Sequence, residues 1–288
     1  MGRYAARYVD GVPARSRQDD QISLLAAALD HARAAAPAGV VVFDLDSTLL
    51  DNRPRQARIL QDFGLSAGIP ELLDARPEHW HGWSLAAAMQ QTGLPAALVA
   101  AHLDAARRFW LEWFFTSAYC RLDAPVPGAP AFVRGVAEAG AQIAYVTGRP
   151  RGMEAGTREA FRNHGFPLPD GRAVHLFLKP DRAIADEDWK AEAVGAVEKL
   201  GPVVAAFDNE PAHVNLYRRA WPGALVVHLE TDHSDRPVEV AEGIPSVRDL
   251  RHDGSTGSRC TDPPPPCRAA LRALRRSAWL ATRRSSGA

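Results

Sequence analysis

Residues 40–52 read VVVFDLDSTLLDN. The first four form a continuous β-branched and aromatic run without alternation, the pattern of a central parallel strand buried on both faces. Asp44 and Asp46 follow at once, at a place where a carboxylate is costly unless it is paired, hydrogen-bonded or bound to a cation. Upstream, residues 18–36 (QDDQISLLAAALDHARAAA) carry apolar side chains at helical spacing, and Pro37-Ala38-Gly39 ends that pattern. The reading is a helix feeding a buried strand whose end carries two acids.

Residues 53–122 offer almost nothing that reads as strand. They predict helical segments around 54–63, 84–91, 95–104 and 105–118, hence a mostly helical insertion. PVPGAP at 125–130 punctuates the return. Helix 130–139 then precedes strand 142–146 (QIAYV), and helix 151–164 precedes strand 173–178 (AVHLFL). Helix 186–200 precedes strand 202–207 (PVVAAF), and helix 211–220 precedes strand 224–229 (ALVVHL). Such alternation predicts an α/β fold, a parallel sheet with helices on both faces. Ligands of such sheets bind beyond the carboxyl ends of the strands.

A chain of 288 residues is long enough for one large domain, or one carrying a smaller inserted domain. Hydrophobic residues at 46% and charged residues at 24% exclude disordered, collagenous and membrane classes for the body of the chain. Formal net charge is zero, so no global field favours nucleic acid or a membrane surface, and neither is an expected partner. The start MGRYAARYVDG lacks the apolar run of a signal peptide, and a cytoplasmic location is expected. Cys120, Cys260 and Cys267 form no CxxC pair and read as incidental thiols. From about residue 253 the composition shifts to DGSTGSRCTDPPPPC and RAALRALRRSAWLATRRSSGA. Residues 253–288 are expected to be a Pro- and Arg-rich solvated tail outside the fold.

Three strand ends carry the chemistry. Asp44 facing a substrate, with Asp46 reaching the same space from the leaving turn, suits a nucleophile beside a general acid/base. The bland reading is a turn in which Asp46 and Ser47 cap the next helix. The second strand ends in Thr147-Gly148-Arg149, where a hydroxyl and backbone N–H groups suit a phosphoryl oxygen, or where Thr147 is an ordinary N-cap. The fourth ends in Asp208-Asn209-Glu210-Pro211. Three acidic or hydroxylic strand ends in one sheet are hard to explain as caps, and hard oxygen donors of this kind suit Mg²⁺. An anionic nucleophile and an anionic phosphate also need a fixed cation. Only Lys179, Lys190 and Lys199 are lysines; Lys190, at the start of the helix before the fourth strand, is preferred, with Lys179 as the alternative.

The ordered set FDLDST, YVTGR, a lysine and FDNEP resembles the four motifs of the haloacid dehalogenase superfamily, over roughly residues 39–250. The resemblance implies a Rossmann-like catalytic core over 18–52 and 123–252, with a helical cap at 53–122. It implies that Asp44 attacks phosphorus, that Asp46 protonates the leaving oxygen and then activates water, that Thr147 holds the phosphoryl group, and that Lys190 neutralises charge. Mg²⁺ is implied on the carboxylates of Asp44 and Asp208 and the backbone carbonyl of Asp46. An aspartate at position 46 disfavours dehalogenation. Asn209 and Glu210 depart from the commoner fourth motif, which leaves open whether Glu210 is a ligand through water or a helix-start residue.

Within the insertion, EHWHGW (His79, Trp80, His81, Trp83) either lines a substrate pocket or, with Trp110 and Trp113, forms cap core. The functional expectation is a Mg²⁺-dependent phosphomonoesterase acting on a small phosphorylated metabolite. A phosphotransferase of the same fold and a catalytically weak binding module are the alternatives.

Overall fold

A computed structural model describes residues 14–252; the tail expectation at 253–288 lies outside the described residues. The helices are α1 Ala14–Ala35, α2 Arg53–Ala67, α3 Leu85–Gln91, α4 Ala96–Trp113, α5 Ser117–Cys120, α6 Ala129–Glu138, α7 Glu154–His164, α8 Asp186–Glu198 and α9 Pro211–Ala220. The strands are β1 Val40–Phe43, β2 Leu50–Asp51, β3 Ala124–Pro125, β4 Gln142–Pro150, β5 Val174–Lys179, β6 Val203–Asp208, β7 Leu225–Leu229 and β8 Ser246–Val247. Six of them form one sheet in the order β5-β4-β1-β6-β7-β8, with every described pairing parallel.

The lack of alternation in VVVF has its explanation in the two faces of β1. Val41 and Phe43 join a cluster with Leu25, Phe132, Tyr145, Phe161 and Phe207, beneath α1, α6 and α7. Val40 and Val42 point the other way, into a cluster with Trp189, Val197, Val214 and Tyr217, beneath α8 and α9. Phe43 stacks on Phe207 of the neighbouring strand with ring centroids 5.1 Å apart. Each such side chain, fully buried, contributes about 1.5–3 kcal/mol. With β1 central and β4 and β6 on either side, the chain winds outward in both directions from β1, which opens a crevice at its carboxyl end.

The chain leaves the sheet region at β2 and returns at β3, and these two short strands pair antiparallel, Leu50 with Pro125 and Asp51 with Ala124. Between them the helical segment packs a cluster of its own, including Leu60, Phe63, Leu72, Trp80, Met89 and Val99. Helices expected separately at 95–104 and 105–118 are instead one continuous α4 to Trp113 followed by the short α5. HLDAARR contains no breaker, so the helix runs through. β4 also runs past the expected end at Val146, through Thr147-Gly148-Arg149 to Pro150, with a register shift against β5. Thr147 is thus a strand residue rather than an N-cap, and α7 begins only at Glu154.

α5 is held close to α7 at Gly156. A Cβ there would lie 2.3 Å from the Ser117 carbonyl oxygen and 2.6 Å from Cys120 Sγ. Gly→Ala in a free helix gains about 1 kcal/mol, but here overpacking should reverse the sign. Gly156→Ala is expected to cost about 1–3 kcal/mol, visible as a lower denaturant midpoint with unchanged slope.

At the far end of the sheet Gln21 of α1 clasps the segment after β8. Its side-chain amide donates to Asp249 Oδ1 at 2.9 Å and accepts from the Arg248 N–H at 3.1 Å. No described helix is long and apolar enough to cross a membrane.

Candidate active site

Asp44 follows β1 directly, and its backbone N–H donates to the Phe207 carbonyl at 2.9 Å, continuing the pairing with β6. Asp208 ends β6. Between the two carboxylates stands Lys190, the fifth residue of α8, with 1% exposure. Its ammonium donates to Asp44 Oδ1 at 2.7 Å, to Asp208 Oδ2 at 2.9 Å and to the Val146 carbonyl at 2.8 Å. All three of its donors are therefore used. Lys179, the alternative cation, pairs instead with Asp186 at 2.6 Å.

The two carboxylates flanking Lys190 are not equivalent. Asp208 also accepts the Glu210 N–H at 2.9 Å and has His213 Nδ1 3.4 Å away. Burial pushes its carboxyl up, but Lys190 and His213 outweigh that and hold it below the usual carboxylate range. Asp44 has Lys190 alone, and burial together with the nearby Asp208 raises it to about 7. Lys190, with carboxylates on both sides, is held firmly protonated in spite of its burial.

Asp46, the residue expected as general acid/base, is held in ion pairs. The turn after it places Ser47 in left-handed backbone at φ 61°, with the Ser47 N–H donating to the Leu50 carbonyl at 2.7 Å. Its carboxylate is gripped by two guanidinium groups. Arg149 donates from Nε at 2.7 Å and from Nη2 at 2.9 Å, and Arg55 from Nη2 at 2.5 Å. Burial would raise the carboxyl, but Arg149 and Arg55 reverse the direction and hold it well below the usual range. The fully buried Asp123 completes a square of charges, 2.6 Å from Arg149 Nη2. Its other oxygen is 2.9 Å from Arg55 Nε, close enough for an ion pair though misaligned for a hydrogen bond. Burial lifts the Asp123 carboxyl to about 6 despite both arginines.

Thr147 is fully buried beside this square; its hydroxyl accepts the Arg149 N–H at 3.2 Å and its carbonyl accepts the Trp189 indole N–H at 2.8 Å. Glu210 fastens the loop after β7, accepting from the Ser234 N–H at 3.0 Å and from the Ser234 hydroxyl. It faces that loop rather than Lys190. Arg55, Asp123 and His213 stand outside the four sequence motifs, and nothing local marks them: Asp123 meets Arg149 26 residues on, while Arg55 and His213 reach Asp46 and Asp208 only through the fold of the intervening turns. Arg149 stood inside YVTGR without an assigned role.

Asp44, Asp46, Thr147, Lys190 and Asp208 all line one cavity of about 360 Å³. The carboxylate oxygens of Asp44 and Asp208 and the Asp46 carbonyl are hard donors of the kind Mg²⁺ takes. Asp44 is raised by its burial first and by the nearby Asp208 charge second, and a divalent cation would neutralise the surplus negative charge of the pair. Among the described residues no group of three or more His, Cys, Asp or Glu side chains is placed to hold a metal ion. Any cation here would rest on two carboxylates completed by carbonyl, water and substrate oxygens.

Fold and site together define a parallel α/β protein with a carboxylate–lysine centre at the carboxyl edge of its sheet. No protein-family model matches the chain. No curated protein matches it either. Among solved structures it is similar to CbbY from Rhodobacter sphaeroides in complex with phosphate, at 16% identity over 73% of this chain and 94% of that one, with a TM-score of 0.43. A predicted phosphoglycolate phosphatase from Haemophilus somnus shows 15% identity, the same coverages and a TM-score of 0.44. The class C acid phosphatase from Bacillus anthracis with tungstate bound shows 18% identity over 68% of this chain and a TM-score of 0.41. This chain spans 65% of the length of that enzyme. Likenesses this distant leave the chemistry to be read from the residues.

Proposed function

We propose that the chain is a Mg²⁺-dependent phosphomonoester hydrolase of the haloacid dehalogenase type, acting on a small phosphorylated substrate through an aspartyl phosphate on Asp44. The observation that carries this reading is the Lys190 ammonium held between the Asp44 and Asp208 carboxylates at the ends of adjacent strands. One oxygen of Asp44 is bonded to the lysine, and its side chain lines the cavity. A bound Mg²⁺, on the Asp44 and Asp208 carboxylates and the Asp46 carbonyl, would supply charge neutralisation for an anion attacking an anion.

In the first step the Asp44 carboxylate forms a bond to phosphorus and the ester P–O bond breaks, its electron pair leaving with the substrate oxygen. Lys190 stabilises the charge around Asp44, and Thr147 and the neighbouring backbone hold the phosphoryl oxygens. In the second step water attacks phosphorus, the bond to Asp44 breaks, and the carboxylate is regenerated. Asp46, ionised between its two guanidinium groups, is set to accept the proton of that water. To donate a proton to the leaving oxygen in the first step Asp46 must first take one up from solvent as a guanidinium lets go; the donation returns it to the carboxylate that accepts the proton of the water in the second step. The segment 53–122 acts as the cap that closes over the site, with Arg55 of α2 as its contact to Asp46.

The test is phosphate release from a panel of monoesters with and without Mg²⁺, with acid-quenched protein examined by mass spectrometry. A phosphate on Asp44 is expected during turnover. No release from any ester in Mg²⁺, or a phosphate carried on another residue, would overturn the proposal.

A further inference from the structure

The cavity that holds Asp44 and Lys190 has a second wall of a different kind. Trp83, Trp110, Phe114 and Phe115 line it from the helical segment. Trp80 and Trp113 do not. Trp80 is packed into the segment's own core, and Trp113 sits against Phe109 and Tyr119. The indole of Trp110 and the ring of Phe114 are stacked 4.2 Å apart at 21°, and Trp83 stands edge-on to both, at 6.5 and 5.8 Å. Trp110 Nε1 is buried with no hydrogen-bond partner, an unsatisfied donor beside an apolar surface.

This wall is joined to the charged floor by a single side chain. Arg55 lies 4.0 Å from the centre of the Phe114 ring and donates to the Phe114 carbonyl at 3.0 Å, while the same guanidinium grips Asp46. The aromatic wall therefore begins one guanidinium width from the Asp46 carboxylate. A group reaching it from a phosphate on Asp44 has little room for a spacer. Aromatic rings placed stacked or edge-on attract one another beyond the area they bury.

Resting on the phosphohydrolase reading above, we infer that the substrate is an aryl-type phosphate, in which a planar aromatic ring is attached directly, or through one atom, to the ester oxygen. The ring lies against Trp83 and Trp110, the half-buried members of that wall, with Phe114 packed behind them.

Binding without turnover separates recognition from reactivity, because aryl esters are intrinsically easier to cleave. The full chain in Mg²⁺ is titrated with phenylphosphonate, methylphosphonate and adenosine 5′-monophosphate by calorimetry. Phenylphosphonate is expected to bind at least about tenfold more tightly than methylphosphonate, the equivalent of about 1.4 kcal/mol. Trp83→Leu should narrow that ratio to under about threefold, and Trp110→Phe, which keeps a ring and removes the N–H, should leave most of it. A melting curve for each variant establishes that it is folded. For substrates of matched leaving group, benzyl phosphate should show a lower KM than cyclohexylmethyl phosphate, with similar kcat. Equal affinity for the two phosphonates overturns the inference, as does a ratio that survives Trp83→Leu in a folded protein. Preference for adenosine 5′-monophosphate over phenylphosphonate overturns it too, in favour of a ring held at a distance. Absence of phosphate release from every ester sinks the phosphohydrolase reading instead, and leaves the phosphonate comparison readable.

Discussion

Asp44→Asn should release no measurable phosphate and yet unfold at a higher temperature than the parent protein. The loss follows from the proposed chemistry, since an amide oxygen cannot form the aspartyl phosphate; removing a nucleophile in enzymes that act through covalent intermediates costs on the order of 10⁴–10⁶ in kcat. The gain follows from electrostatics. Asp44 and Asp208 are buried carboxylates sharing the single ammonium of Lys190, and Asp44 is the one left short of partners, its carboxyl raised to about 7. Asparagine keeps the size and the oxygen that accepts from Lys190 while discarding the charge. In the absence of added divalent cation the gain is expected to be about 1–2 kcal/mol, typical of relieving a strained functional group. Denaturant unfolding at pH 8 in a chelator measures it. A variant less stable than the parent, or one that retains turnover, contradicts the account.

Arg55→Met should destabilise the protein by about 3–5 kcal/mol, the usual cost of removing one member of a buried ion pair. Arg55 has no exposed side-chain surface and meets Asp46, Asp123, the Phe114 carbonyl and the Phe114 ring. Two arginines and two aspartates balance in charge; without Arg55, Arg149 alone faces Asp46 and Asp123. Arg55→Lys should recover only part of the loss, because a compact ammonium lacks the planar fork with which the guanidinium meets Asp46, Asp123 and the Phe114 carbonyl while lying flat on the Phe114 ring. Asp123→Asn, paired with Arg55→Met in a double-mutant cycle, should cost less than the sum of the single changes, since the second change removes the charge that the first left unpaired. Additive losses would place the two residues in separate interactions.

The difference between what sequence reveals and what it hides follows the range of the interactions. VVVF, QIAYV and PVVAAF are read as strands because burial on both faces leaves a local trace, an unbroken run of β-branched and aromatic residues. Asp44 and Asp208 could be singled out for the same reason, as acids stranded at the ends of such runs, and the structure brings them to one lysine. The extension of β4 through Thr147 to Pro150 escaped because Gly148 and Pro150 are turn residues by local preference; pairing with β5 overrides it. The β2–β3 pair is two residues long on each side and leaves no periodicity to detect. Asp46, Arg55, Asp123 and Arg149 form their square across separations of 9 to 103 residues, and nothing at any one position announces the other three. The aromatic wall was half legible. Tryptophans were visible as a group, but only packing separates Trp83 and Trp110 from Trp80.

The Gln21 clasp on Asp249 makes the described fold nearly a ring. Residues 228 positions apart in sequence are hydrogen-bonded neighbours, so α1 and the segment after β8 lie close enough to be linked covalently and the path cut elsewhere. The exposed turn at Gly171, ahead of β5, is such a place. A chain joined from residue 252 back to residue 14 through a short linker and opened at Gly171 would thread the same sheet in the same strand order. The order in which a ribosome releases the elements and the order in which they pair are, for this protein, separable properties.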